Sequence, residues 1–130
     1  AMQGGEDPLE VLDQLVDTGF HLLEGLEAQE QMRMNIQLWA EALRSPEIMG
    51  EVQRANFDIW RTALTELVVK GQEKGEIDPS LDPGSAARVL LSTWHGLVLQ
   101  KGFDPDVDVQ KYMEALKAMY RGAFSVGVVK

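Results

Sequence analysis

Three times in this chain a side chain able to cap a helix stands directly before a proline, at Asp7-Pro8, Ser45-Pro46 and Asp82-Pro83. The capping oxygen takes an orphan N–H of the first turn, and proline's fixed φ and missing N–H suit the first helical position. Each pair therefore predicts a helix start, and helical periodicity follows each one. Leu9, Leu12, Val16, Gly19, Leu23 and Leu26 recur in steps of three and four, predicting an amphipathic helix to about Leu26. From Glu30 to Arg44, Met32, Ile36, Trp39 and Leu43 form one stripe and Met34, Leu38 and Ala42 another, so this helix is expected to be mostly buried. After Pro46 come Ile48 and Met49, then two rows: Val52, Ile59, Ala63 and Leu67, and Phe57, Trp60, Leu64 and Val68. Gly71 and Gly75 mark the end of that helix, and Gly50 an early break in it. From Pro83 a helix is expected to about Gln100, with Ala87, Leu90, Leu91, Trp94 and Val98 as its main stripe, Val89, Thr93, Gly96, Leu97 and Gln100 as a second strip of smaller residues, and Gly102 closing it. The last helix follows Val107 and runs to about Phe124 through Val109, Tyr112, Met113, Leu116, Met119, Tyr120 and Ala123.

Five or six helices without a convincing strand make an all-α helical bundle; Val126-Gly127-Val128-Val129 is too short and isolated to build a sheet. Residues 1–6 read as a leader outside the fold, 7–124 as one helical domain and 125–130 as a tail. With 130 residues, 45% hydrophobic and 25% charged, the chain has the means to form one globular core. A formal net charge of −9 repels phosphate backbones, so the chain by itself is a poor nucleic-acid binder. Without cysteine there are no disulfides, thiolate metal sites or cysteine nucleophiles, which fits a reducing, cytoplasmic setting. No apolar run approaches the ~18 residues of a membrane span, so no membrane association is expected.

Catalytic chemistry needs titratable or nucleophilic groups gathered together, and few are available. Asp17, His21 and Glu24 share one side of the first helix at a spacing that can ligate a metal, but a solvated polar face with helix ion pairs explains them more simply. Asp104, Asp106 and Asp108 alternate like calcium ligands, yet a calcium loop needs glycine and glutamate where Val109 and Ala115 stand; helix capping is the expected role. Gly71-x-x-x-Gly75 follows no strand, and no Gly-x-Ser-x-Gly occurs. The expectation is no metal, no cofactor and no enzyme.

Aromatic placement is more informative. Trp39, Phe57, Trp60 and Trp94 come from three helices, with Met32, Met34 and Met49 near them in sequence. Such bulk either fills a solid core or lines an apolar ligand cavity. His95, between Leu91 and Val98, either makes one hydrogen bond in the core or anchors such a cavity. The strip Thr93, Gly96, Leu97 and Gln100 and the row Tyr112, Met113, Leu116, Met119 and Tyr120 exceed what one packing face requires. A second face implies a second copy, packed about a two-fold axis to form a homodimer.

Several ordered stretches resemble the regulatory domain of TetR/AcrR-type transcriptional regulators: Leu38-Trp39-Ala40-Glu41-Ala42-Leu43-Arg44-Ser45-Pro46-Glu47, then Gly71-Gln72-Glu73-Lys74-Gly75-Glu76-Ile77, Leu81-Asp82-Pro83, Ala86-Ala87-Arg88 and Gly96-Leu97. With the final helix the resemblance spans about Leu38 to Tyr120. It implies a helical domain that binds a small hydrophobic or amphipathic effector between its central helices, with Met32, Ile36, Trp39, Phe57, Trp60, Leu64, Trp94 and His95 as candidate contacts. It also implies dimerisation through the last two helices, and DNA contact only through a separate N-terminal helix-turn-helix that is missing from this sequence. Where the family often carries an acidic residue before the Gly-Leu pair, this chain has His95. The rival reading is a structural helical interaction module whose tryptophans fill a solid core.

Overall fold

The computed structural model describes residues 7–24 and 27–124. Among them are six α-helices: α1 (Pro8–His21), α2 (Ala28–Ala42), α3 (Pro46–Gln53), α4 (Ile59–Glu73), α5 (Pro83–Phe103) and α6 (Val109–Phe124). A π-helical turn, Arg54–Asp58, joins α3 to α4 into one continuous rod. All three predicted caps form. Asp7 Oδ1 accepts from Leu9 N at 3.0 Å, Ser45 Oγ from Ile48 N at 3.4 Å, and Asp82 Oδ2 from Ser85 N at 2.9 Å. Asp108 Oδ1 likewise accepts from Lys111 N at 3.0 Å at the head of α6.

The core lies where α1, α4, α5 and α6 meet, around Leu12, Val16, Phe20, Leu64, Leu67, Val68, Leu90, Leu91, Leu97, Val98, Tyr120 and Phe124. α1 is shorter than its periodicity predicts. After His21, the N–H groups of Leu22 and Leu23 donate three residues back to Gly19 and Phe20, and the tightened turn drives Leu23 fully into the core. Leu26, where the helix was expected to end, lies outside the described residues, as do the leader and the tail.

Gly71 and Gly75 bracket the end of α4 at Glu73 as expected, and Gly71 is a close-packing position besides; Gly102 is one in place of the expected helix stop. Gly71 sits inside α4, where a Cβ would collide with the buried Ile77 side chain. The stop is a Schellman closure at Gly75 (φ 79°), with Glu76 N–H on the Gly71 carbonyl at 2.8 Å and Gly75 N–H on the Gln72 carbonyl at 3.2 Å. Gly102 lies within α5, which continues to Phe103; a Cβ there would lie 2.6 Å from Ile36 Cδ1, and Arg33 Nε donates to the Gly102 carbonyl at 2.9 Å. The missing side chain lets α2 approach α5 closely.

Gly50 does not break the third helix; the irregularity is the π turn that follows, where Ile59 N–H reaches back five residues to the Arg54 carbonyl. Its physical reason is phase. In an unbroken α-helix Val52 and Leu64 would lie about 120° apart, and the extra residue absorbed by one π turn removes about 100° of that. Val52 and Leu64 are thereby both buried on one rod. The two rows read with a constant period fail across this point: Ile59 and Ala63 face solvent, and Trp60 is 48% exposed.

Candidate functional site

Three elements converge on His95. α2 contributes Trp39, whose ring meets the imidazole edge-on at 5.3 Å between centroids. The π turn contributes Phe57, tilted over the imidazole at 4.5 Å. It also contributes a backbone group, for His95 Nε2 lies 3.1 Å from the Asn56 carbonyl oxygen. A carbonyl only accepts, so Nε2 carries the hydrogen and donates, leaving Nδ1 as the acceptor of a neutral ring. Burial pushes the imidazole pKa below its ordinary value, and the Asn56 hydrogen bond only partly opposes that. Trp39 Nε1 is buried and has no hydrogen-bond partner.

The eight candidate ligand contacts do not form one set. Trp39, Phe57 and His95 come together, with Phe57 38% exposed. Trp94, although next to His95, turns about 100° around α5 to a different face and packs on Phe20 at 5.5 Å, in a cluster that includes Tyr112. Met32 and Leu64 are buried members of the core, Ile36 packs against Gly102, and Trp60 is half exposed on α4. The Asn56 carbonyl escaped sequence reasoning because a backbone oxygen has no residue signature. The phase offset between Val52 and Leu64 was the available signal.

The residues expected at a dimer interface also divide. Leu97 and Tyr120 are buried within the subunit at 0% and 4% exposure, so neither can meet a second copy: α5 turns Leu97 into the core, and the Tyr120 hydroxyl donates to Asp13 of α1. Thr93 Oγ1 donates to the Leu90 carbonyl at 2.6 Å, and the Tyr112 hydroxyl donates to the Thr93 carbonyl. Met113 and Leu116 are partly buried against the core. Gly96 has open space before it, Gln100 is exposed and Met119 is 72% exposed. On the same side of α5 as Gly96 stand Val89 and Phe103, at 66% and 77% exposure, seven residues away in each direction. Sequence reasoning missed Phe103 because it placed the helix end before it.

A cleft of about 140 Å³ lies between α1 and α6, lined by Asp17, Phe20, His21, Glu24, Val109, Gln110 and Met113, and it includes none of the candidate ligand contacts. The metal-spaced residues on its rim have other neighbours: His21 Nδ1 lies 3.2 Å from Glu24 Oε1, and Asp17 Oδ1 pairs with Lys117 Nζ at 2.6 Å. Among the described residues no group of three His, Asp or Glu side chains is placed to hold a metal ion, and no helix is long and apolar enough to cross a membrane.

Comparison with curated proteins and with solved structures returned no match. Comparison with protein families returned one, the C-terminal domain of BetI-type transcriptional repressors, matched over residues 8–124. That span starts at the first capped proline and ends on the last residue of α6, covering every helix described above. An all-α body with the ordered Gly71–Ile77 turn and the Asp82-Pro83 helix start, matched from end to end, places this chain in the family: it is a TetR-family C-terminal regulatory domain of the BetI type.

Proposed function

We propose that the domain senses a small hydrophobic or amphipathic effector at the Trp39–Phe57–His95 cluster and works as a homodimer that controls a DNA-binding domain outside this sequence. The observation carrying the reading is the convergence of α2, the π turn and α5 on His95, because a guest that moves any one of these elements moves it against the other two. π turns inside α-helices recur at functional sites. An effector acts on a regulator only by binding one helix arrangement more tightly than another. A cluster with an unpaired buried donor and a half-exposed ring is where such a difference can arise.

The exposed apolar stripe Val89, Gly96 and Phe103 on α5, with Met119 on α6, supports self-association through the last two helices. The net charge of −9 supports DNA contact through other residues than these. A thermal-shift screen with diverse hydrophobic compounds tests effector binding. A ligand at a hundred times its Kd adds about 2.7 kcal/mol, which raises the melting temperature by roughly 10 °C in a domain of this size. No stabilising compound in a broad panel would favour the alternative of a structural helical module, a reading supported by the tight burial of Met32 and Leu64. Sedimentation tests the dimer. Gly96→Arg is expected to halve the mass without unfolding the subunit, since an added Cβ meets nothing within 4 Å; a monomeric wild-type chain would overturn the interface.

A further inference from the structure

We infer that the guest of the ring cluster is a phenol, held by two atoms the protein leaves unused: the indole N–H of Trp39 and the Nδ1 lone pair of His95. The inference rests on the effector-binding reading and narrows it to a chemical class. Trp39 Nε1 is buried without a partner, and a donor in that state forfeits the hydrogen bond it had to water. His95 spends its own N–H on the Asn56 carbonyl, which leaves Nδ1 as an acceptor that meets no partner among the described residues. One unused donor and one unused acceptor therefore sit on rings whose centroids are 5.3 Å apart.

A hydroxyl has the chemistry to satisfy both, and in the proposed complex it gives its hydrogen to Nδ1 and takes the indole hydrogen on its oxygen. A carboxylate accepts but does not donate, an ammonium donates but does not accept, and a hydrocarbon leaves Trp39 Nε1 unpaired. The rest of the site selects the ring that carries the hydroxyl. Phe57 packs an aromatic ring against the imidazole at 4.5 Å and is 38% exposed, so the cluster presents an aromatic surface that a guest ring can extend from the solvent side.

Calorimetric titration of the full chain with p-cresol, its isostere p-xylene, and 4-methylanisole, which is one methyl group larger, tests this. The phenol offers a donor and an acceptor, the ether an acceptor only, the hydrocarbon neither. The expected order is p-cresol, then 4-methylanisole, then p-xylene, with about tenfold in Kd at each step, the effect of one net hydrogen bond. His95→Phe keeps a ring and is expected to erase the first step; Trp39→Phe keeps a ring and is expected to erase the second. A cooperative melt checks that each variant folds, and the order on the wild-type chain decides without them. Equal binding of all three, or variants that retain the wild-type order, would overturn the inference. Binding of other compounds in the broad panel without p-cresol would overturn it while leaving the effector site standing; no binding by any compound would remove both.

Discussion

Trp94 and His95 are consecutive on α5, about 100° apart around its axis, and they serve two clusters of opposite character. Trp94 joins Phe20 and Tyr112 in a cluster anchored in the core, where Phe20 is 3% exposed and the Tyr112 hydroxyl is satisfied by the Thr93 carbonyl. His95 joins Trp39 and Phe57 in a half-open cluster built on a π turn, with an indole N–H unpaired. One helix thus spends one face on stability and keeps the other less satisfied. Elements that move in regulation are drawn from the low-stability end of a fold, and the contrast predicts that end at the Trp39 turn of α2, the π turn and the adjoining turn of α5.

The sharpest way to break this contrast is to truncate one ring in each cluster. Phe20→Ala removes a buried core ring and should cost about 3–5 kcal/mol. Phe57→Ala removes a ring already partly in water and should cost about 1 kcal/mol or less. Urea unfolding of the two variants measures the difference, and equal losses would mean that the ring cluster at His95 is as structural as the one at Trp94.

Deleting Ala55 asks what the π turn contributes. A rod restored to uninterrupted α-helix rotates α3 by about 100° against α4, carrying Val52 off the core face and separating the Asn56 carbonyl from His95. Partial loss of one buried valine and one hydrogen bond predicts a decrease of about 1–3 kcal/mol with the chain still folded, since Leu64, Leu67 and Val68 are unaffected. Undiminished stability would show that phase matching is not what holds the turn in place.

The same turn marks the limit of what could be read from the letters. Caps at Asp7, Ser45 and Asp82 were legible because a side-chain oxygen before proline has one local use, and the α1 stripe because its other face is polar. α5 was legible as a helix but not in its orientation. It is apolar around much of its girth, so Val89 and Leu97 could be read as one strip although Val89 is exposed and Leu97 is buried, and only packing against α2 and α4 decides between them. The π turn adds one residue to a periodic pattern that each side reads correctly alone. The site suffered most: its aromatic members were identified, but whether Trp94 or His95 faces Trp39 depends on an angle of about 100° that sequence does not fix.

Glycine offers a smaller and more local test of the same limit, since Gly50 and Gly102 look alike in sequence and differ in surroundings. Gly50→Ala, exposed in α3 with nothing within 4 Å of the new methyl, should gain about 0.5–1 kcal/mol from helix propensity. Gly102→Ala has the same propensity gain but sets its methyl 2.6 Å from Ile36 Cδ1, so a net loss of about 1 kcal/mol is expected as α2 is pushed from α5. Thermal melts of the pair give the two signs, and a stabilising Gly102→Ala would show that α2 has room to retreat, which would extend the loosely held region to the whole of that helix.

The smallest effects separate the two regions by pH. His95 is held below its ordinary value of 6.5 first by burial, so the unfolded chain binds the proton more readily than the folded one. Its contribution to stability is full above about 6.5 and declines as pH falls from there through the folded value. Asp13 ties α1 to α6; burial alone would raise its pKa, but hydrogen bonds from Tyr120 and Arg121 outweigh that and hold it below 3.8. That contribution is present above 3.8 and is lost only as pH falls through the lower folded value. Melts of the wild-type chain, His95→Phe and Asp13→Asn over both windows should therefore differ in turn, the histidine variant flattening the slope near neutrality and the asparagine variant the slope in acid. An unchanged slope for His95→Phe would mean that the imidazole is not kept neutral by its surroundings. In that case Nδ1 would take up a hydrogen of its own below about 6.5, and in that range the ring cluster would present two donors to a guest instead of a donor and an acceptor.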